Sequence, residues 1–369
     1  MRRISILLSI LFTFFASAAW PQVQPQPQEK HKITTYEVPG AGNGAGQGTQ
    51  AFGINSSGEV AGFYTDANNM NHGFLRKPNG NFAKFDPAGS TNTFVIGIND
   101  EGAIPGWYYD VNNVMHGFRR ARDGDITTFD APDAGTGANQ GTIAGDLNRL
   151  GVIAGYFIDV NNVSHGFLLN PDGIFTTFDA PGAGTGTGQG TYPMFFSCLT
   201  DLGASTGFYL DANNVYHGFV LNPNGSITTF DAPFAGTGTG QGTYGESIDR
   251  EGASTGYYLD ENNVNHGFLL DPDGSMITIN VRRAGTGTGQ GTIAEGNNVE
   301  GAIVGQYYDA NGAMHGFLRD TDGKITTFDA PGAGRGAGQG TQPMTNNRQG
   351  AISGFYLDAN NVYHGFLRE

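Results

Sequence analysis

Asp211-Ala-Asn-Asn-Val-Tyr-His217-Gly218-Phe219 decides how this chain folds, because its pattern returns seven times. The histidines of the His-Gly-Phe step are His72, His116, His165, His217, His266, His315 and His364, so every histidine except His31 occupies one repeated slot. A residue type confined to one slot of a repeat is architecture before it is chemistry, and the repeat has to be read before any single residue.

Most of these histidines are 49 residues apart; the first interval shortens to 44 and the third lengthens to 52. Each period holds four short β-rich runs. The first follows a Gly-Thr such as Gly48-Thr49 and ends at a turn like Asn55-Ser-Ser-Gly58, and the second is Val60-Ala-Gly-Phe-Tyr64. The third carries His-Gly-Phe, and the fourth is a run such as Ile227-Thr-Thr-Phe-Asp231. Short strands separated by turn residues predict an antiparallel meander, and four strands per unit is the size of a propeller blade. The alternative is an open stack of units such as a β-solenoid.

The ends of the chain argue for closure. The last unit stops at Glu369 without its fourth strand, while Lys32-Ile-Thr-Thr-Tyr-Glu37 matches that strand and precedes the first unit. The predicted fold is all-β, a seven-bladed β-propeller with four antiparallel strands per blade, whose N-terminal strand closes the last blade. Closure removes two exposed sheet edges. The predicted organisation is a signal peptide over 1–19, a Pro/Gln-rich linker over 20–32 and the propeller over 33–369. Arg2-Arg3, an apolar run from Ile4 to Phe15 and Ala16-Ser-Ala-Ala19 fit a secretory signal. The apolar run is shorter than the ~20 residues of a membrane-spanning helix.

Composition bounds partners. The 60 glycines among 369 residues exceed the usual ~7 % and fit a turn-rich β fold. The net charge is −15, and loss of Arg2 and Arg3 with a signal peptide takes it to −17. Such a surface repels phosphate backbones, so nucleic acid and anionic membrane are excluded as expected partners, while a cation or a neutral sugar is accommodated. The single cysteine, Cys198, rules out an intrachain disulfide and is expected to be a small buried apolar residue. A secreted monomer is expected.

In the turn before each histidine, Asp (66, 110, 159, 211, 260, 309, 358) and the Asn two residues on never vary, and the next position is Asn or Gly312. Asn exchanging with Gly marks a left-handed backbone, and Asp suits an Asx turn. In a bulged hairpin of this kind each Asp and the His six residues later share a sheet face. The expected structural pairs are Asp66–His72, Asp110–His116, Asp159–His165, Asp211–His217, Asp260–His266, Asp309–His315 and Asp358–His364. The other reading of the turn is a cation site, with calcium the cofactor it would take and Asp66, Asn68, Asp211, Asn213, Asp358 and Asn360 among its ligands; one short turn supplies fewer oxygens than calcium needs.

The connection Asp179-Ala-Pro-Gly-Ala-Gly-Thr-Gly-Thr-Gly-Gln-Gly-Thr191 leads from a fourth strand to the next first strand, on the expected face of the Asp-Asn turns. It lacks the lysine and the following helix of a phosphate loop, so a tight crossover is the reading. Arg282 and Arg283 replace Pro-Gly there, and Arg335 stands in the neighbouring connection. These arginines are ligand-binding candidates for an acidic polysaccharide group, with solvated loop charge as the alternative. Tyr192, Phe195 and Phe196, in the lengthened unit, are candidates for sugar stacking or for a plug around Cys198.

Gly53-Ile-Asn55, Gly58, Val60 and Gly62, followed by His72-Gly-Phe-Leu, resemble the extracellular HAF repeat family of bacteria, from about Thr49 to the C-terminus. This chain has Gly where the family has Ala. The resemblance implies a secreted repeat protein and brings no catalytic residues with it. Three functions stay open: a non-catalytic, multivalent glycan-binding protein, a polysaccharide-active hydrolase or lyase, and a structural or protein-docking scaffold. The first is preferred, because acid/base chemistry needs a non-repeated pair of groups and nearly every Asp and His belongs to the repeat.

Overall fold

Among the described residues β1 (Ile33–Tyr36) comes first, and β2 (Gly48–Ile54), β3 (Val60–Thr65), β4 (Asn71–Arg76) and β5 (Phe82–Phe85) form the first of seven recurring units in an all-β array of 28 described strands. The computed structural model describes residues 31–194 and 197–369. The expected signal peptide, most of the Pro/Gln-rich linker, Phe195 and Phe196 lie outside the described residues.

Within the first unit β2–β3, β3–β4 and β4–β5 pair antiparallel, and the same order recurs in the units that follow. The last unit contributes Gly340–Asn346, Ile352–Leu357 and Tyr363–Arg368, and its fourth strand is β1, with Ile33 opposite Arg368 and Tyr36 opposite Gly365. Gly48 of β2 forms a parallel bridge to Tyr363, so the last unit also docks on the first.

Two devices join neighbouring units. The first is glycine at the start of the inner strand. At Gly48 φ is +117°, and a Cβ there would overlap the carbonyl oxygen of Tyr363. In the second unit Asn92 replaces that glycine, and its Oδ1 accepts from the Asn71 amide at 3.0 Å. The second device is a relay of asparagines at the turns after the inner strands. Asn55 Nδ2 donates to the Asn99 carbonyl (3.2 Å), Asn99 to Asn148 (2.9 Å) and Asn148 to Thr200 (3.0 Å). Asn298 donates to Asn347 (2.9 Å) and Asn347 back to Asn55 (3.0 Å), joining the two ends of the array. Asp249 occupies the equivalent position in the fifth unit.

The core repeats as well. Phe74, Phe118, Phe167, Phe219, Phe268, Phe317 and Phe366, the last residues of the His-Gly-Phe steps, have no exposed surface. Burying such a ring stabilises by roughly 1.5–3 kcal/mol. In every unit but the fifth, the glycine before this phenylalanine lies under the fourth-strand ring: a Cβ on Gly73 would sit 2.7 Å from Phe85 Cε2. Cys198 is fully buried, beside Leu199 and Ala154.

Candidate functional site

The seven Asp-Asn turns and the seven histidines form repeated notches. In the first, Asp66 Oδ1 accepts the amides of Asn68 (2.8 Å) and Met70 (2.9 Å), and Oδ2 accepts from Asn68 Nδ2 (3.1 Å). The Met70 amide is the main reason the Asp66 carboxyl lies below its usual range. Asn69 takes φ +63°, and Asn113, Asn162, Asn214, Asn263, Asn361 and Gly312 are positive as well, which explains the Asn/Gly exchange. Asp211 and Asp358 receive the same set of donors. Carboxylates so surrounded by N–H groups present little free lone-pair density to a cation. Among the described residues no group of three or more His, Cys, Asp or Glu is placed to hold a metal ion.

Six of the seven histidines lie between two acids. His72 Nε2 is 3.8 Å from Asp66 Oδ2, the pair expected from the sequence, but Nδ1 is only 2.8 Å from Asp86 Oδ2. Asp86 ends the fourth-strand run and is 14 residues beyond the histidine, a constant offset that was available in the repeat and was not used. The same short contact joins His116 to Asp130, His165 to Asp179, His217 to Asp231 and His315 to Asp329, at 2.8–2.9 Å. In the fifth unit Asn280 replaces the acid, at 3.0 Å from His266, and Asp260 approaches to 3.4 Å. In the last unit the partner of His364 is Glu37, which the N-terminal segment supplies just after β1. An ionised carboxylate only accepts, so Nδ1 carries the proton. Each ring also stacks on the second-strand aromatic, Tyr64 under His72 at 5.0 Å between centroids and Phe157 under His165 at 5.1 Å.

The third and sixth units show the resulting shape as notches of about 500 Å³. The third is lined by Asp133, Phe157, Asp159, Val160, His165, Thr177, Phe178 and Asp179. The sixth is lined by Tyr307, Asp309, His315, Thr327, Phe328 and Asp329, with Arg283 on its rim. Arg282 and Arg335 are exposed on the same connections. Tyr192 stands in the inner strand Gly190–Pro193, half-buried, stacked on Phe208 at 5.1 Å and edge-on to Tyr156, with its hydroxyl donating to the Gly188 carbonyl at 2.8 Å. It is thus part of an aromatic belt along the inner strands.

The glycine-rich connections are latches that hold the notch walls. In the fifth-unit connection Gln241 Oε1 accepts the Gly238 amide (3.0 Å), and Nε2 donates to Asn263 Oδ1 and the Glu261 carbonyl, both at 3.1 Å. The adjacent Gly240 amide donates to the Asn214 carbonyl of the preceding turn at 2.8 Å. One Gln-Gly-Thr step therefore ties two neighbouring Asp-Asn turns together, and Thr243 Oγ1 receives the Ala232 amide at 2.9 Å to fix the start of the loop.

No protein-family model matches the chain, and no curated protein is similar to it. Solved structures resemble it in fold. One is the S511A mutant of puromycin hydrolase complexed with PGG, at 12% identity and a TM-score of 0.53 over 84% of this chain. The chain spans about half the length of that enzyme, 50% of it. Another is the BP39L lectin from Burkholderia pseudomallei, at 10% identity and a TM-score of 0.53, covering 85% of this chain and 93% of the lectin. At these identities the likeness is one of fold: an all-β structure built of repeated units. No helix among the described residues is long and apolar enough to cross a membrane.

Proposed function

We propose that the chain is a secreted, non-catalytic, monomeric seven-bladed β-propeller of the HAF-repeat type, in a His-Gly-Phe variant, that binds glycans through its repeated notches. In this reading residues 1–19 are a signal peptide, 20–32 a spacer and 33–369 the propeller. The observation that carries it is the repeated notch: a His ring backed by an aromatic, with carboxylates on both sides in six of its seven copies. Carboxylate oxygens and the unprotonated imidazole Nε2 accept from sugar hydroxyls without needing ligand charge, and the acidic surface favours neutral or basic sugars. Arg283 in the sixth notch, with Arg282 beside it in sequence and Arg335 in the next connection, adapts these connections to an acidic group. Several weak sites on one rigid body give avidity on a repetitive surface. The likeness to a lectin of similar length supports this reading at the level of fold.

The test is a glycan array with the mature chain, in calcium and in chelator, followed by the same array with His165→Ala and Asp179→Asn in the third notch and their counterparts in the others. Binding that weakens stepwise as notches are removed is expected. A blank array under both conditions, with a pull-down that retrieves a protein, favours the docking scaffold. Release of reducing sugar or unsaturated product from a polysaccharide panel favours the enzyme.

A further inference from the structure

The notches repeat, but the inner strands do not. Each regular inner strand carries a β-bulge, and the extra residue is Phe52, Gly145, Glu246, Glu295 or Met344. A bulge residue stands outside the Cα register of the ladder, so its side chain can differ between units. Phe52 and Met344 pack in an apolar cluster with Ile96, Phe63 and Phe355. Glu246 and Glu295, in the consecutive fifth and sixth units, are carboxylates with only 4% and 7% of their surface exposed.

A second departure from the repeat falls at the same place. The second-strand position that is Phe63, Trp107, Tyr257 or Phe355 in other units is Gln306 in the sixth. Gln306 is 2% exposed; its Nε2 donates to Glu295 Oε1 at 2.7 Å, and its Oε1 has no partner. Glu246 Oε2 is likewise buried and unpartnered. Tyr257, stacked on Tyr244 at 4.6 Å, walls the pair. The Arg–carboxylate pairs among the described residues, Arg149–Asp201 and Arg348–Glu300, are exposed and lie elsewhere. Two adjoining buried carboxyl groups, and the unpartnered oxygen of the amide that is bonded to one of them, form a buried oxygen set with no basic side chain paired to it among the described residues.

We propose that Glu246, Glu295 and Gln306 form a binding site for a small inorganic cation at the bulges of the fifth and sixth inner strands. Hard cations take oxygen ligands, and sites with one or two carboxylates complete their shells with water. A bound ion satisfies both orphaned oxygens and supplies the missing charge, so occupancy stabilises the folded chain. The site lies at non-repeated residues and does not depend on what the notches bind.

The experiment is a melting-temperature titration of the chelator-treated protein at pH 8, with calcium, magnesium, sodium and potassium tested separately at constant ionic strength. A saturable rise with at least one ion is expected in the wild type and in Asp273→Asn, an exposed turn acid, and it should be lost in Glu246→Gln and Glu295→Gln. Those variants remove buried unpaired charge, so they are expected to melt at or above the ion-free wild type and remain measurable. The proposal is overturned if no ion raises the transition, if the rise is the same in both Gln variants, or if only acidification stabilises the wild type. The response of divalent against monovalent ions identifies the class of cation. None of these outcomes bears on glycan binding.

Discussion

Placing alanine in the middle of the His-Gly-Phe step tests why this chain uses glycine there. In Gly166→Ala the new Cβ would lie 2.6 Å from both Cε2 and Cζ of Phe178, whose ring also packs edge-on against Phe219 of the next unit at 6.0 Å. That ring cannot retreat without giving up the contact. In the fifth unit the fourth-strand residue is Ile279, and a Cβ on Gly267 meets nothing closer than the Ile279 carbonyl oxygen at 3.2 Å. Overpacking costs about 1–3 kcal/mol, while replacing glycine by alanine in an unstrained backbone returns about 0.4–1 kcal/mol through the unfolded chain. Gly166→Ala is therefore expected to lose about 1–2 kcal/mol, and Gly267→Ala to stay within about 0.5 kcal/mol of wild type. Urea denaturation followed by tyrosine fluorescence reads the difference, provided the slopes match. The double variant Gly166→Ala/Phe178→Ile copies the fifth unit and should show a favourable coupling against the two single changes. Equal losses at Gly166 and Gly267, or no coupling, refute the account of glycine as room for the fourth-strand ring.

The Gln latch has a graded counterpart: Gln241→Ala removes bonds to Gly238, Asn263 and Glu261 and should cost about 1–2 kcal/mol, more than Gln290→Ala, whose Nε2 reaches only the Ala310 carbonyl because Gly312 replaces the asparagine, as paired melting temperatures would show. Deleting residues 33–38 removes β1 and Glu37, exposes the edge of Tyr363–Arg368 and should collapse the thermal transition; an unchanged melting temperature would contradict the pairing as a closure. Burial raises the Asp146 carboxyl from 3.8 to about 6 against the backbone donors Leu147 and Leu199, so its neutral form is favoured in the fold. Its stabilising contribution is full below pH ~4 and is lost as pH rises towards ~6, a difference of about 3 kcal/mol. Glu246 and Glu295, raised chiefly by burial, act in the same sense. Calorimetry from pH 4 to 8 should find stability falling with pH, with a shallower slope in Asp146→Asn.

The repeated half of the structure was legible because repetition supplies its own comparison. Seven aligned copies exposed the Asp-Asn turn, its positive-φ position and the spare strand at Ile33. They could equally have exposed the second histidine partner, since Asp86, Asp130, Asp179, Asp231 and Asp329 stand at one offset. It was missed because a carboxylate six residues away looked sufficient, and sequence spacing does not say which of two nearby acids a ring nitrogen will face. Tyr192 was hidden for a related reason: inside a lengthened unit, neither the repeat nor the composition shows whether a tyrosine points outward or joins the inner belt. Glu246 and Glu295 carry no signal in the sequence, because their position differs from unit to unit and a lone glutamate in a β-rich run reads as a solvated side chain.

That variation exposes a division of labour with a physical basis. A notch residue is held by partners from neighbouring strands and a latch from the next unit, so changing one breaks several bonds at once; the sequence there varies at few positions, among them Asn280, Gly312 and Glu37. A bulge residue on an inner strand stands outside the Cα register of the ladder, so Phe52, Gly145, Glu246, Glu295 and Met344 can replace one another from unit to unit without shifting it. The fold thus keeps its repeated chemistry on the surface that the turns build and leaves its inner strands open to specialisation. A buried acid is tolerated at such a position only when a proton or a cation neutralises it. Asp146 shows the limit of what backbone donors alone achieve: with hydrogen bonds from Leu147 and Leu199 its carboxyl is still pushed up to about 6. Glu246, with an oxygen left without any donor, needs the neutralising partner more.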